Sequence, residues 1–219
     1  VLGIKRTANY DGWDRDAFEF EICNSPRDVL ERIRNKQEAG FRARMLAGYA
    51  WPWSPENENP NGEIADVAIP AYGFAMPWNG RRSSTKCAID PKGINQIGCV
   101  HTSQGLEFDY VGVLIGDDLA YLPEMGSFYT DYRKTYDTTG KKGLKEDQQR
   151  LNQYIRNIYR ILLSRGMKGC YVFCTDSHLQ AFLKKRIRMM WSGVDVVNSQ
   201  DRGVAYLARP VTTSYVAEE

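Results

Sequence analysis

No apolar run in these 219 residues approaches the roughly 20 that a membrane-crossing helix requires, so a helical membrane protein is excluded from the expectations. No secretory leader pattern opens the chain either. Cysteine is scarce and unpatterned. Cys23, Cys87, Cys99, Cys170 and Cys174 make an odd set of five with no Cys-x-x-Cys pair, which favours reduced thiols and a cytoplasmic setting. Cys170 and Cys174 share one face of an apparent strand, too far apart for an easy disulfide, and read as buried small hydrophobes. With only two histidines, His101 and His178, no metal site is expected. Internal repeats and low-complexity tracts are missing too, which argues against a solenoid or a disordered chain.

What is present is ordinary globular composition with a hidden charge asymmetry. Hydrophobic residues make up 42% and charged residues 26%, enough for a real core at a length of one large or two small domains. The formal net charge is +2, yet residues 126 to 190 carry 14 Lys/Arg against 5 Asp/Glu. Such a half attracts polyanions, although a charge run such as Lys184-Lys185-Arg186 also reads as a solvated face. Val1 stands where an initiator Met would, which predicts a piece of something longer.

Along the chain, Phe18 to Cys23 alternates like a strand, and Ser25-Pro26 then opens a helix that runs to about Ala39 and stops at Gly40. Phe41 to Tyr49 reads as a second strand, completing a strand-helix-strand unit of the kind that builds parallel α/β sheets. Further strands are expected near Val67 to Ala71 and Ile97 to Val100. Residues 54 to 66 and 120 to 146 read as loop insertions. Glu146 to Ser164 is the clearest helix, with Leu151, Tyr154, Ile155, Ile158, Ile161 and Leu162 recurring at three and four. A last basic helix capped by Ser177 reaches about Trp191. We expect one domain over residues 1 to 191 and a tail over 192 to 219. Trp51, Trp53 and Trp78 fit core packing better than base stacking.

The most informative segment is His101-Thr102-Ser103-Gln104-Gly105-Leu106-Glu107-Phe108-Asp109, followed by the apolar run Val111 to Ile115. It sets polar groups on a glycine-containing turn against a strand covered on both faces. In open α/β sheets a polar loop at such a strand is where ligands gather. This segment resembles motif V of superfamily 1 helicases, roughly His-x-x-(Lys/Gln)-Gly-x-Glu-Phe before a hydrophobic strand. Tyr159-Arg160-Ile161-Leu162-Leu163-Ser164-Arg165-Gly166, followed by the strand-like Cys170 to Thr175, resembles motif VI. Together with Ala47-Gly48-Tyr49-Ala50-Trp51-Pro52-Trp53, the chain most resembles the second RecA-like domain of the Schlafen-group-3-like DNA/RNA helicase family.

The resemblance implies a three-layer RecA-like α/β domain of the P-loop NTPase type with a mostly parallel sheet. It implies an arginine finger at Arg165 as the catalytic residue, and ATP contacts from Gly105, Glu107 and Arg165. It implies nucleic-acid contacts from His101, Thr102, Ser103 and Gln104, with single-stranded DNA or RNA as a partner. ATP and Mg2+ would be bound mainly by an N-terminal ATPase domain of the same protein. Arg165 also reads as a plain helix-end charge and Glu107 as an exposed loop acid.

Departures from the pattern matter equally. Gln104 replaces a frequent Lys and loses a charge. Ile155-Arg156-Asn157 stands where acidic and arginine residues commonly precede the motif VI aromatic, which leaves Arg156 and Arg160 without an assigned role. No P-loop is present: around Gly140-Lys141, residue 135 is Thr where the first Gly belongs and residue 142 is Lys where Ser or Thr should hold magnesium. Ile115-Gly116-Asp117-Asp118 imitates a Walker B end without a P-loop upstream. The expected function is therefore the C-terminal half of an ATP-dependent helicase or translocase, inactive alone. The second reading is a nucleic-acid-binding or regulatory ATP-switch domain without helicase activity.

Overall fold

Buried strands rich in branched residues set the architecture. The computed structural model describes residues 17–54, 63–78 and 90–191. Cys87, Arg81, Arg82, most of the 54–66 insertion and the tail lie outside the described residues. A five-stranded sheet is built from β1 (Glu19–Ile22), β2 (Ala43–Ala47), β5 (Ile97–Gly98), β6 (Phe108–Ile115) and β9 (Gly166–Cys174), in the spatial order β1-β9-β6-β2-β5. Every pairing in it is parallel. Two short antiparallel hairpins accompany it, β3 (Val67–Ile69) with β4 (Phe74–Met76) and β7 (Leu119–Leu122) with β8 (Ser127–Thr130).

The strand period of two splits the central strands between two cores. Val111, Val113 and Ile115 of β6 join Cys170, Val172 and Cys174 of β9 on one face, packed by α3 (Gln148–Leu163) and α4 (Ser177–Trp191). Tyr110, Leu114, Tyr171 and Phe173 face the other way, against Val29 and Ile33 of α1 (Pro26–Glu38) and the β3–β4 hairpin. The result is a three-layer α/β fold with a parallel sheet, as expected. Burial on both sides explains why these strands read as continuous apolar runs. Gly112 is required where α1 crosses β6, since a Cβ there would lie 2.6 Å from both Met45 Sδ and Val29 Cγ1.

Helix ends follow capping chemistry. The Ser25 hydroxyl accepts the Asp28 N–H at 3.0 Å and Gly40 takes φ +88 after the last turn of α1. Asp147 caps α3 by accepting the Arg150 N–H at 3.0 Å. For α4 the cap is Asp176, whose carboxylate accepts the Leu179 N–H at 2.6 Å, and Ser177 is already the first helical residue. Among the thiols, Cys23, Cys99, Cys170 and Cys174 are free and buried. Trp51 and Trp78 are core residues, and Trp53 is half-buried.

Three expectations change. Val100 begins a four-residue helix, α2 (Val100–Ser103), so the preceding strand is only two residues long and the polar segment starts on a helical turn. Residues 70–72 form a 3-10 turn that redirects the chain into β4, which periodicity does not suggest. The 120–146 stretch holds the β7–β8 hairpin and a 3-10 turn at Tyr132–Lys134. Its aromatics Tyr121 and Phe128 pack edge to face, and Tyr121 stacks on Phe182 of α4 at 4.1 Å between ring centres. None of the helices among the described residues is long and apolar enough to cross a membrane.

Candidate functional site

The polar segment runs from one end of the sheet to the other. Gly98, which closes β5, pairs with Leu46, and Leu46 pairs with Val113 near the carboxyl end of β6. After α2 the chain returns to Phe108 at the amino end of β6, about 16 Å away along five residues of strand. His101 therefore stands toward the carboxyl end and Glu107 at the amino end, and Thr102 to Leu106 span the distance between them, with the Leu106 N–H donating to the Ser103 carbonyl at 3.2 Å.

At the carboxyl end, α2 is held by its own side chains. Thr102 Oγ1 accepts the Cys99 N–H at 3.0 Å, and the Ser103 hydroxyl donates to the Cys99 carbonyl at 3.0 Å. Ser103 is buried, so both hydroxyls serve the turn itself. His101 and Gln104 are exposed. The His101 ring lies 5.5 Å from the Tyr49 ring, and its Nε2 is 3.8 Å from a carboxylate oxygen of buried Asp137. Asp137 is anchored by the Tyr154 hydroxyl at 2.6 Å and the Gly140 N–H at 2.8 Å. Burial first, and the bond to Asp137 with its charge second, raise the Tyr154 hydroxyl above the usual phenol range, which keeps it a donor to that carboxylate. Tyr49 meets Cys99 Sγ at 3.2 Å and is likewise raised, chiefly by burial and then by Cys99.

At the amino end, Gly105 adopts φ +75, a left-handed conformation that glycine takes without strain. A Cβ there would meet nothing within 4 Å, so the glycine answers to the turn and leaves open space around it. Glu107 is exposed, while Phe108 is buried. Arg165 follows the last turn of α3. Its carbonyl accepts the Phe108 N–H at 2.9 Å, and its guanidinium donates to the carbonyls of Leu106 and Ile161, both at 3.3 Å. The two segments expected from sequence to act together thus meet at the first residues of adjacent parallel strands, Phe108 opposite Gly166.

The carboxyl end of β6 also holds a pair that the sequence does not single out. The Tyr159 hydroxyl donates to Asp118 at 2.5 Å and accepts the Gly116 N–H at 3.1 Å. Asp118 is 1% exposed, and burial raises its carboxyl to about 7 against the lowering effect of Tyr159. Asp117, beside it, is exposed and accepts the Thr175 hydroxyl at 2.6 Å. The Walker B imitation is thus a structural pair at a strand end. Asp118 reads in sequence only as part of the Walker B imitation, and Asp137 follows no recognisable spacing. Tyr154 reads in sequence as one more member of an apolar stripe, and Tyr159 as the motif VI aromatic.

A family model described as Schlafen group 3, DNA/RNA helicase domain matches residues 1–176. The chain belongs to this family. A relative from Saccharomyces cerevisiae, the uncharacterized protein YPL245W, is 26% identical over 172 residues, covering 74% of this chain and 36% of its own length. The chain thus spans about a third of the relative it matches. No solved structure matches. Membership in the Schlafen group 3 family gives the domain a helicase-like assignment.

Proposed function

We propose that this chain is the second RecA-like lobe of an ATP-driven DNA or RNA helicase or translocase. It supplies Arg165 as an arginine finger to a nucleotide held mainly by a preceding lobe. The observation that carries this reading is the bond between the Phe108 N–H and the Arg165 carbonyl at the amino ends of β6 and β9, beside Glu107. The donor set fits part of a nucleotide site. Glu107 is an exposed carboxylate able to accept from ribose hydroxyls, Gly105 leaves room for a ligand, and Arg165 offers a planar, permanently charged fork for a phosphoryl group. ATP with Mg2+ supplies the phosphoryl-transfer chemistry. The phosphate cradle and metal ligands belong to the preceding lobe, since this chain has no P-loop.

His101, toward the other end of the sheet, and Gln104, at the end of α2 nearer Gly105, face a single strand of nucleic acid. Thr102 and Ser103 shape the turn that presents them, and Tyr49 flanks the His101 ring. Placing nucleotide and strand contacts on one continuous segment gives a direct mechanical route between them. A shift of the Gly105–Glu107 end is passed through α2 to His101.

The test is made on the protein carrying both lobes. Arg165→Ala is expected to lower ATP hydrolysis by on the order of 10² or more while ATP affinity and folding stay nearly unchanged, because a finger acts on transition-state charge. Arg165→Lys is expected to rescue poorly, since it keeps charge and loses the fork. Wild-type hydrolysis by Arg165→Ala with a lowered melting temperature would make Arg165 a helix-end charge and remove the finger.

A further inference from the structure

The helical layer on the face of the sheet opposite α1 carries only basic charged residues on its helices. α3 carries Arg150, Arg156 and Arg160, α4 carries Lys184, Lys185, Arg186 and Arg188, and neither helix contains an acidic residue. Both pack on the same face of the sheet. By contrast α1, on the opposite face, alternates Asp28, Glu31 and Glu38 with its basic residues and pairs Arg32 with both Asp28 and Glu21.

Seven cations on two helices of one layer repel one another. Arg150 is 3.9 Å from Asp147, and Lys184 donates to the Asn24 side chain. Among the described residues Arg160, Lys185, Arg186 and Arg188 have no carboxylate within ion-pair distance. Arg186 is the most telling of them. It is 9% exposed, and its guanidinium lies against the Phe182 ring, 5.9 Å from the ring centre. Arg156 lies over Phe128 at 4.6 Å, and Phe128 meets Phe182 edge to face at 5.5 Å. Arginines from both helices therefore converge on one aromatic cluster formed by Phe182 of α4 and Phe128 of the β7–β8 hairpin. Arg186 has no carboxylate partner among the described residues, and exposed Lys185 and Arg188 on the same helix offer charge-assisted hydrogen bonds to phosphate oxygens.

We propose that the α3–α4 face is a second nucleic-acid contact, separate from the His101 turn. It takes the phosphate backbone through exposed Arg160, Lys185 and Arg188. This rests on the nucleic-acid part of the proposed function. The occupant follows from charge complementarity: α3 spans about 24 Å with only positive side chains among its charged groups, which suits a strand carrying a charge at every nucleotide.

Fluorescence anisotropy of the 219-residue chain with a fluorescein-labelled 20-nucleotide oligo-dT, at salt concentrations from 50 to 200 mM, tests it. The triple variant Arg160→Glu, Lys185→Glu, Arg188→Glu is expected to raise Kd at least tenfold at 50 mM salt. A matching Arg160→Gln, Lys185→Gln, Arg188→Gln triple, whose neutral side chains disturb folding less, is expected to flatten the slope of log K against log salt by about 2, since each single-strand phosphate contact contributes about 0.7. Circular dichroism checks that both fold. If Kd and slope are unchanged in the Gln triple while His101→Ala with Gln104→Ala weakens binding, the face is refuted and the helicase reading stands. If wild type fails to bind the oligonucleotide at 50 mM salt, the face falls and so does the strand-contact part of the reading, leaving the Arg165 experiment to judge the ATPase part. If fluorescein-labelled polyglutamate binds more tightly than the oligonucleotide and is lost in the Gln triple, the partner is an acidic protein segment and the proposal is overturned.

Discussion

Asp118→Asn should change how the stability of this domain depends on pH. Asp118 is enclosed at the end of β6 with the Tyr159 hydroxyl as its partner, and burial lifts its carboxyl to about 7. An unfolded chain leaves an Asp near 3.9, so the shift is about three units, or about 4 kcal/mol at about 1.4 kcal/mol per unit. The folded state holds this proton more tightly than the unfolded one. The stabilisation is therefore full below about pH 4 and is lost progressively as pH rises through 7. Asparagine keeps a carbonyl for Tyr159 and does not titrate. Urea denaturation at pH 5, 6, 7 and 8 should show the variant gaining on wild type by about 1.4 kcal/mol per pH unit up to about 7 and levelling off above it. Tyr159→Phe removes the hydrogen bond that holds the pKa down and should move the levelling point to higher pH. A variant-minus-wild-type difference that is equal at pH 5 and pH 8 would refute the reasoning.

Gly112→Ala should destabilise the domain by about 1 to 3 kcal/mol, because its methyl group would collide with Met45, Val29 and Ile33 at the α1 crossing; an unchanged thermal midpoint would contradict that packing. Cys23, Cys170 and Cys174 should resist alkylation in the native state and react only on unfolding, as burial pushes all three thiols up, Cys23 to about 12. Mass spectrometry of iodoacetamide-treated peptides reads this directly, and native labelling of Cys170 would show that the β9 core opens.

How much of the fold is legible in the sequence depends on how local each signal is. The extent of α1 can be read to within a residue because Ser25, Pro26 and Gly40 act through neighbouring backbone groups. β6 and the Cys170–Cys174 part of β9 are legible because burial on both faces leaves an apolar run, whereas the first four residues of β9, from Gly166, escape because Met167 and Lys168 are exposed. The β7–β8 hairpin is not. Its strands are four residues each, and only Leu119, Tyr121, Phe128 and Thr130 turn toward the helices, too few positions for alternation to stand out. α2 escapes notice because four residues do not complete two turns of periodicity. The division of the site is beyond local reading altogether. His101 and Glu107 are six residues apart in sequence, and only the register of β5 on β2 and of β2 on β6 shows that they stand at opposite ends of the sheet.

That division decides what this chain can do without a partner lobe. At the amino end of β6 and β9, Arg165 and Glu107 offer a cation fork and a carboxylate, which suit the outer phosphate and the sugar of a nucleotide. Hydrolysis also needs backbone N–H groups around the inner phosphates, a lysine among them and hydroxyl or carboxylate ligands for magnesium. No Gly-x-x-x-x-Gly-Lys-(Ser/Thr) sequence exists in the 219 residues to provide them. The purified chain is therefore expected to show no ATP turnover above a buffer blank. A coupled phosphate-release assay, run with and without oligo-dT, makes the comparison. Turnover that survives repurification and is abolished by Arg165→Ala within this chain alone would mean that the chain holds a complete catalytic site, and the assignment of the phosphate cradle to another lobe would fall.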